Sequence, residues 1–124
     1  MAAAIYNLEI DQGSTLNSVV FVLDGDYTAW SPQGQIRTDY VSRGGILKAE
    51  FSFPPLVKAD VALADGTVVN GTVVRPTLTS AQTGSLTPSS KKENWVYDLN
   101  LQNSNGEVMR FVQGRVTISP QVTV

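Results

Sequence analysis

Apolar side chains along this chain recur at every second position, in short runs cut by Gly, Asn, Asp, Ser and Pro. The clearest run is 94–101, where Trp95, Tyr97, Leu99 and Leu101 alternate with Asn94, Val96, Asp98 and Asn100. Successive strand side chains point to opposite faces, so this pattern predicts a strand with one apolar and one wetter face. Asn103-Ser104-Asn105-Gly106 follows. Asn-Gly accepts positive φ, which predicts a tight hairpin. The return strand spans about 107–119, with Val108, Arg110 and Val112 on one face and Met109 and Phe111 on the other. Gly114 interrupts it, predicting a bulge or bend, and Pro120 ends regular pairing.

Upstream, 46–53 alternates as well. Leu47, Ala49, Phe51 and Phe53 point one way, Lys48, Glu50 and Ser52 the other, and Pro54-Pro55 stops the run. Segment 5–10 places Tyr6, Leu8 and Ile10 on one face before the break at Asp11-Gln12-Gly13. The nearly continuous apolar run 16–23 predicts a buried strand, turned by Asp24-Gly25-Asp26, and 35–41 a further strand. Segments 61–63 and 67–69 flank Asp65-Gly66, a second hairpin signal. Asn70-Gly71-Thr72 reads as a turn beside a strand, and 73–75 stops at Pro76. Thr79 followed three residues later by Gln82 fits a capping box, predicting at most one short helical turn near 79–83, crossing between sheets. The Ser-, Thr-, Pro- and Lys-rich stretch 84–93 reads as a long exposed loop. The expectation is an all-β fold of about seven to nine short antiparallel strands, a β-sandwich or small barrel, with 1–124 as a single domain.

Composition narrows the chemistry. The 124 residues contain neither Cys nor His. Disulfide frameworks, thiol nucleophiles, Ser-His-Asp triads and Cys- or His-ligated metals are therefore excluded. Nine Lys and Arg stand against eleven Asp and Glu, so no basic excess points to nucleic acid. No apolar run approaches the roughly 18 residues that span a bilayer. The start Met1-Ala2-Ala3-Ala4-Ile5 lacks a basic region ahead of an apolar one, so no secretory signal is expected and the chain is expected to be made in a cytoplasm.

The remaining candidates each carry a structural reading beside the functional one. Asp24 and Asp26, with Glu9 and Asp11, supply oxygen ligands of the kind calcium takes, but the EF-hand spacing is missing and a polar turn explains them. Eleven acids make some carboxylate pair inevitable, and nothing singles one out for glycoside hydrolysis. Trp95 opens an alternating strand and belongs to the core. Trp30, in Tyr27-Thr28-Ala29-Trp30-Ser31-Pro32, is either a contact anchor together with Tyr27 or a cap on the open end of the sandwich. Lys91-Lys92 is a solvated loop charge or the partner of an acidic surface. The terminal segments, with Ile5 at one end and Val122 and Val124 at the other, are apolar and β-prone. They either add a strand to a neighbouring chain or fray.

Several segments together resemble a known family. They are Tyr6-Asn7-Leu8-Glu9-Ile10-Asp11-Gln12-Gly13-Ser14-Thr15, Gln35-Ile36-Arg37, Val96-Tyr97-Asp98-Leu99-Asn100-Leu101, Gly106-Glu107-Val108-Met109-Arg110, and Gln113-Gly114-Arg115-Val116-Thr117-Ile118-Ser119-Pro120-Gln121-Val122-Thr123. The chain resembles small immunoglobulin-like virion proteins of tailed bacteriophages, cyanophages among them, and more distantly the N-terminal domain of phage baseplate upper proteins. The likeness is strongest over the last thirty residues, and 54–88 departs from it. The resemblance implies an immunoglobulin-like β-sandwich, a non-enzymatic structural role in the virion, and no cofactor or small-molecule substrate. It implies a homo-oligomer in a symmetric assembly docked on other phage structural proteins, in the tail, baseplate or fibre-attachment region, without nucleic-acid or membrane partners. Capsid decoration is the alternative within that class. A carbohydrate- or host-surface-binding module, stacking sugars on exposed Trp30, Tyr27 and Tyr40, is the alternative outside it. Tyr97 reads as a tyrosine corner, its hydroxyl bonding a nearby backbone group.

Overall fold

The computed structural model describes residues 3–62, 64–87 and 95–120, with positions 61 and 69 as backbone. It is an all-β sandwich. The larger sheet contains β1 (Ala4–Ile5), β2 (Leu8–Asp11), β4 (Ser31–Arg37), β5 (Leu47–Glu50), β8 (Trp95–Gln102) and β9 (Val108–Ser119), and the smaller contains β3 (Phe21–Asp24), β6 (Val57–Ala62) and β7 (Val68–Val74). The larger is ordered β1-β9-β8-β4-β5, with β2 continuing along the same edge of β9 as β1; the smaller is ordered β3-β7-β6. Both N-terminal strands run parallel to β9 rather than antiparallel, because the chain enters the sheet alongside its own last strand.

The strongest alternations fold as expected. Trp95, Tyr97, Leu99 and Leu101 of β8 are buried, and with Ile36, Leu8, Ile10 and Val116 they build one core that takes Val74 from the facing sheet. The Asn103–Gly106 turn closes with Asn103 Oδ1 accepting from the amides of Asn105 and Glu107, and Gly106 at φ 83°. The helical hint is α1 (Ser80–Gly84), with both halves of the capping box formed between Thr79 and Gln82. A second helical piece, a 3-10 turn at Val41–Arg43, stands where strand was expected to run to 41.

Other departures have local causes. β8 and β9 slip register between Leu99 and Asn100, leaving Phe111 as the extra residue. Phe111 and Val112 are consequently both buried, so Val112 joins the core face instead of sharing one with Arg110. A similar slip leaves Lys48 extra in β5, which turns Leu47 outward at 41% exposure. In the run 16–23 only 21–23 fall within a strand; Val22 is exposed because the smaller sheet has one uncovered face, and Val20 is exposed just ahead of the strand. Asn70-Gly71-Thr72 lies inside β7, not in a turn. Gly71 pairs with both Asp24 and Ala59, and the buried Thr72 hydroxyl donates to Gly25 O at 2.7 Å and accepts from Tyr27 N at 2.8 Å.

Gly114 is no bulge, since it pairs in register with Tyr97. A Cβ there would overlap the Tyr6 carbonyl, which crosses β9 at this point. The same carbonyl accepts the Tyr97 hydroxyl. Thus Tyr97 does bond backbone, but that of Tyr6, ninety-one residues earlier, so it fastens the N-terminal strand rather than a corner in its own strand. Burial and then the neighbouring Tyr6 phenol raise the Tyr97 pKa above its usual 10.0. A group raised in the folded state is deprotonated first in the unfolded chain, so stability should begin to fall as pH rises past about 10. Tyr97→Phe is expected to cost about 1–2 kcal/mol at neutral pH by orphaning the Tyr6 carbonyl, and to flatten that alkaline decline. Urea titrations at pH 7 and pH 11 measure both.

Candidate functional site

The outward face of the larger sheet is where polar groups and a concavity meet. On β4, Gln33, Gln35 and Arg37 alternate with the inward Gly34 and Ile36; on β8, Val96, Asp98 and Asn100 do the same. Register brings Gln35 opposite Asp98 and Arg37 opposite Val96, while Arg110 and Gln113 approach from β9. The result is a ladder of paired side chains. Arg37 Nε and Nη2 donate to Gln35 Oε1 at 3.1 and 2.9 Å, and Gln35 Nε2 donates to Glu50 Oε1 at 3.1 Å. Arg110 Nε lies 3.4 Å from Asp98 Oδ2, and its Nη1 donates to Gln113 Oε1 at 3.3 Å.

A hairpin overhangs this face. Between β4 and β5 the chain closes with Thr38 N donating to Ile46 O and Ile46 N donating to Thr38 Oγ1. The 3-10 turn occupies its tip, ending at Gly44 with φ 76°. Arg37 Nη1 donates to Gly45 O at 3.1 Å, tying the hairpin to the sheet. Between hairpin and sheet lies a groove of about 390 Å³, lined by Arg37, Asp39, Tyr40, Val41, Val96, Asp98, Arg110 and others. Two arginines and two aspartates are among its lining residues, so the lining is formally neutral. The hairpin carries large apolar side chains in the open beside the Asp39–Arg43 pair: Tyr40 is 53% exposed, Val41 70%, and Ile46 63%. A shallower depression adjoins, lined by Gln33, Gly34, Gln35, Asp98 and Asn100. Asn100 Oδ1 is buried there without a hydrogen-bond partner.

Among the described residues singled out from sequence, Tyr27 and Trp30 are brought together. Tyr27 and Trp30 are partly buried against the core and meet edge to face, 5.4 Å between centroids. Trp30 and Tyr27 are thus only partly exposed, and neither lines the groove with Tyr40. Ile5 is 76% exposed on β1. Lys91, Lys92, Val122 and Val124 lie outside the described residues. Asp26 serves the fold. Its carboxylate accepts from Lys58 Nζ at 2.9 Å and from Thr28, and these bonds, Lys58 first, hold its pKa down at about 2. Among the described residues no group of three or more Asp or Glu gathers as metal ligands, and no helix is long and apolar enough to cross a membrane.

Sequence reasoning passed over Val41, Ile46 and the groove. The available signal was Asp39-Tyr40-Val41-Ser42-Arg43-Gly44-Gly45-Ile46, in which large apolar residues flank a Gly-Gly turn. No protein-family model matches the chain, and no curated protein matches it.

Proposed function

We propose that this chain is a non-enzymatic structural protein of a tailed-phage virion, built to be held by neighbouring proteins in the tail, baseplate or fibre-attachment region and by copies of itself. The resemblance of its β8–β9 segment to immunoglobulin-like virion proteins supplies the class. The observation that carries the contact role is the hairpin 38–46, with Tyr40, Val41 and Ile46 exposed, overhanging a groove in a face whose charged side chains already hold hydrogen-bond or ion-pair partners. Exposed aromatic and branched side chains beside a polar rim are what a protein interface buries, and paired charges lower the desolvation cost of covering such a face.

Peptide mass spectrometry on gradient-purified particles of the phage encoding the chain tests this reading. The chain should sediment with the particles at a fixed copy number and follow the tails when heads and tails are separated. Recovery with the heads alone would move the site to capsid decoration. Recovery only among soluble lysate proteins would end the structural reading.

A further inference from the structure

Four strand borders carry no neighbour among the described residues: the outer edges of β1/β2, β3, β5 and β6. Such edges are templates for pairing with another chain. A strand that pairs with its own copy about a two-fold axis obeys a simple rule. Directly opposed residues of an antiparallel pair lie on the same face, so each residue must meet one an even number of positions away.

β6 reads Val57-Lys58-Ala59-Asp60-Val61-Ala62. Two registers keep five residues paired. Centred on position 60, Asp60 faces the partner's Asp60. Centred on position 59, Lys58 faces the partner's Asp60 and Asp60 faces the partner's Lys58, while positions 57 and 61 are matched. Charge thus selects one register out of two, since opposite charges across a strand pair attract and like charges repel. Lys58 and Asp60 are both exposed, and Asp60 makes no ion pair among the described residues. Lys58 already holds Asp26 at 2.9 Å, which fixes its head on the side of the sheet that it shares with Asp60.

The other edges lack this property. On β2, Glu9 and Asp11 are exposed and two apart, so the corresponding register sets acid against acid. β3 offers one charge, Asp24. β5 repeats the triplet as Lys48-Ala49-Glu50, but the register slip separates the two charges: Lys48 Nζ sits 5.4 Å from the centroid of the Trp95 ring, and Glu50 accepts from Gln35 on the outer face.

We propose that two copies of this chain pair through β6, antiparallel and centred on Ala59, joining the two three-stranded sheets into one of six. This rests on the reading of the chain as a self-assembling contact protein and assigns the surface of its self-contact.

Two experiments on the full chain decide it. In sedimentation equilibrium, Asp60→Lys and Lys58→Asp each set like charges opposite each other twice. Each alone should dimerise about tenfold or more weakly than wild type, while an equimolar mixture of the two should regain near-wild-type association as the heterodimer. Unchanged dimerisation of Asp60→Lys, or no recovery on mixing, overturns the register. Wild type that stays monomeric to its solubility limit overturns the inference, whereas the particle experiment above judges the virion role separately. The second experiment uses the lack of native cysteine. Ala59→Cys places two thiols opposite each other at the axis, within the span a disulfide bridges, and should give a covalent dimer on mild oxidation. Val57→Cys, which meets position 61 of the other copy, should not. Equal cross-linking of both, or of neither, contradicts the pairing.

Discussion

Replacing Trp95 with alanine is expected to destabilise the chain by about 3–5 kcal/mol, the range for a buried tryptophan whose neighbours relax only partly around the lost volume. The indole is 1% exposed at the start of β8, where its strand pairs with β4 on one side and β9 on the other, and the Lys48 ammonium rests over its ring. A domain of this size has about 5–15 kcal/mol to lose. The variant should therefore melt roughly 10–20 °C lower. Urea unfolding followed by far-ultraviolet circular dichroism measures the change, with an unaltered slope showing that the native and unfolded states keep their exposure. A loss under about 1 kcal/mol would remove the indole from the core.

The second large effect is expected at Gly114. The N-terminal strand crosses β9 there: Tyr6 N donates to Gln113 O at 2.9 Å, Arg115 N donates to Asn7 Oδ1 at 3.0 Å, and the Tyr6 carbonyl lies where a Cβ of residue 114 would be. The obstacle is backbone held on both sides, so it has no rotamer by which to yield. Gly114→Val should cost about 3 kcal/mol, at the upper end for overpacking, and Gly114→Ala a smaller but measurable amount. The damage should be directional. Amides of 5–11 should lose hydrogen-exchange protection first, because the Tyr97–Tyr6 bond and the β1 and β2 ladders fail together, while β3, β6 and β7 keep theirs. A stable Gly114→Ala variant with protected N-terminal amides would refute the crossing geometry.

How far the fold was legible follows from what each segment must satisfy. β8 could be read because it lies inside a sheet with one face on the core, so burial alternates with the pleat from Tyr97 to Leu101. Bulges could not be read from alternation, since one extra residue inverts it. Phe111-Val112, two large apolar neighbours in an otherwise alternating strand, was the trace of one. Asn-Gly misled at 70–71 and succeeded at 105–106 for a tertiary reason: Gly71 has strands on both sides, which override its turn preference. The candidate site was the least legible part. Its lining comes from β4, β8, β9 and the hairpin, and only the register of three strands brings Arg37, Val96 and Arg110 to one groove. Trp30 stands out by residue type, and its partly buried ring meets Tyr27 and the core.

On the proposed virion role, the hairpin and the groove beneath it are covered by other proteins in the assembled particle. Ser42 sits exposed at the hairpin tip and Asp65 at the tip of the β6–β7 turn, in a chain without cysteine, so Ser42→Cys and Asp65→Cys each give a single thiol to follow. The rate of maleimide labelling of each variant, free in solution and in purified particles, is the direct measurement. The thiol at 42 is expected to react freely in solution and to be protected at least tenfold in particles, while that at 65 reacts at the same rate in both. Equal reactivity of the position-42 thiol, free and assembled, would show that no neighbour covers the hairpin.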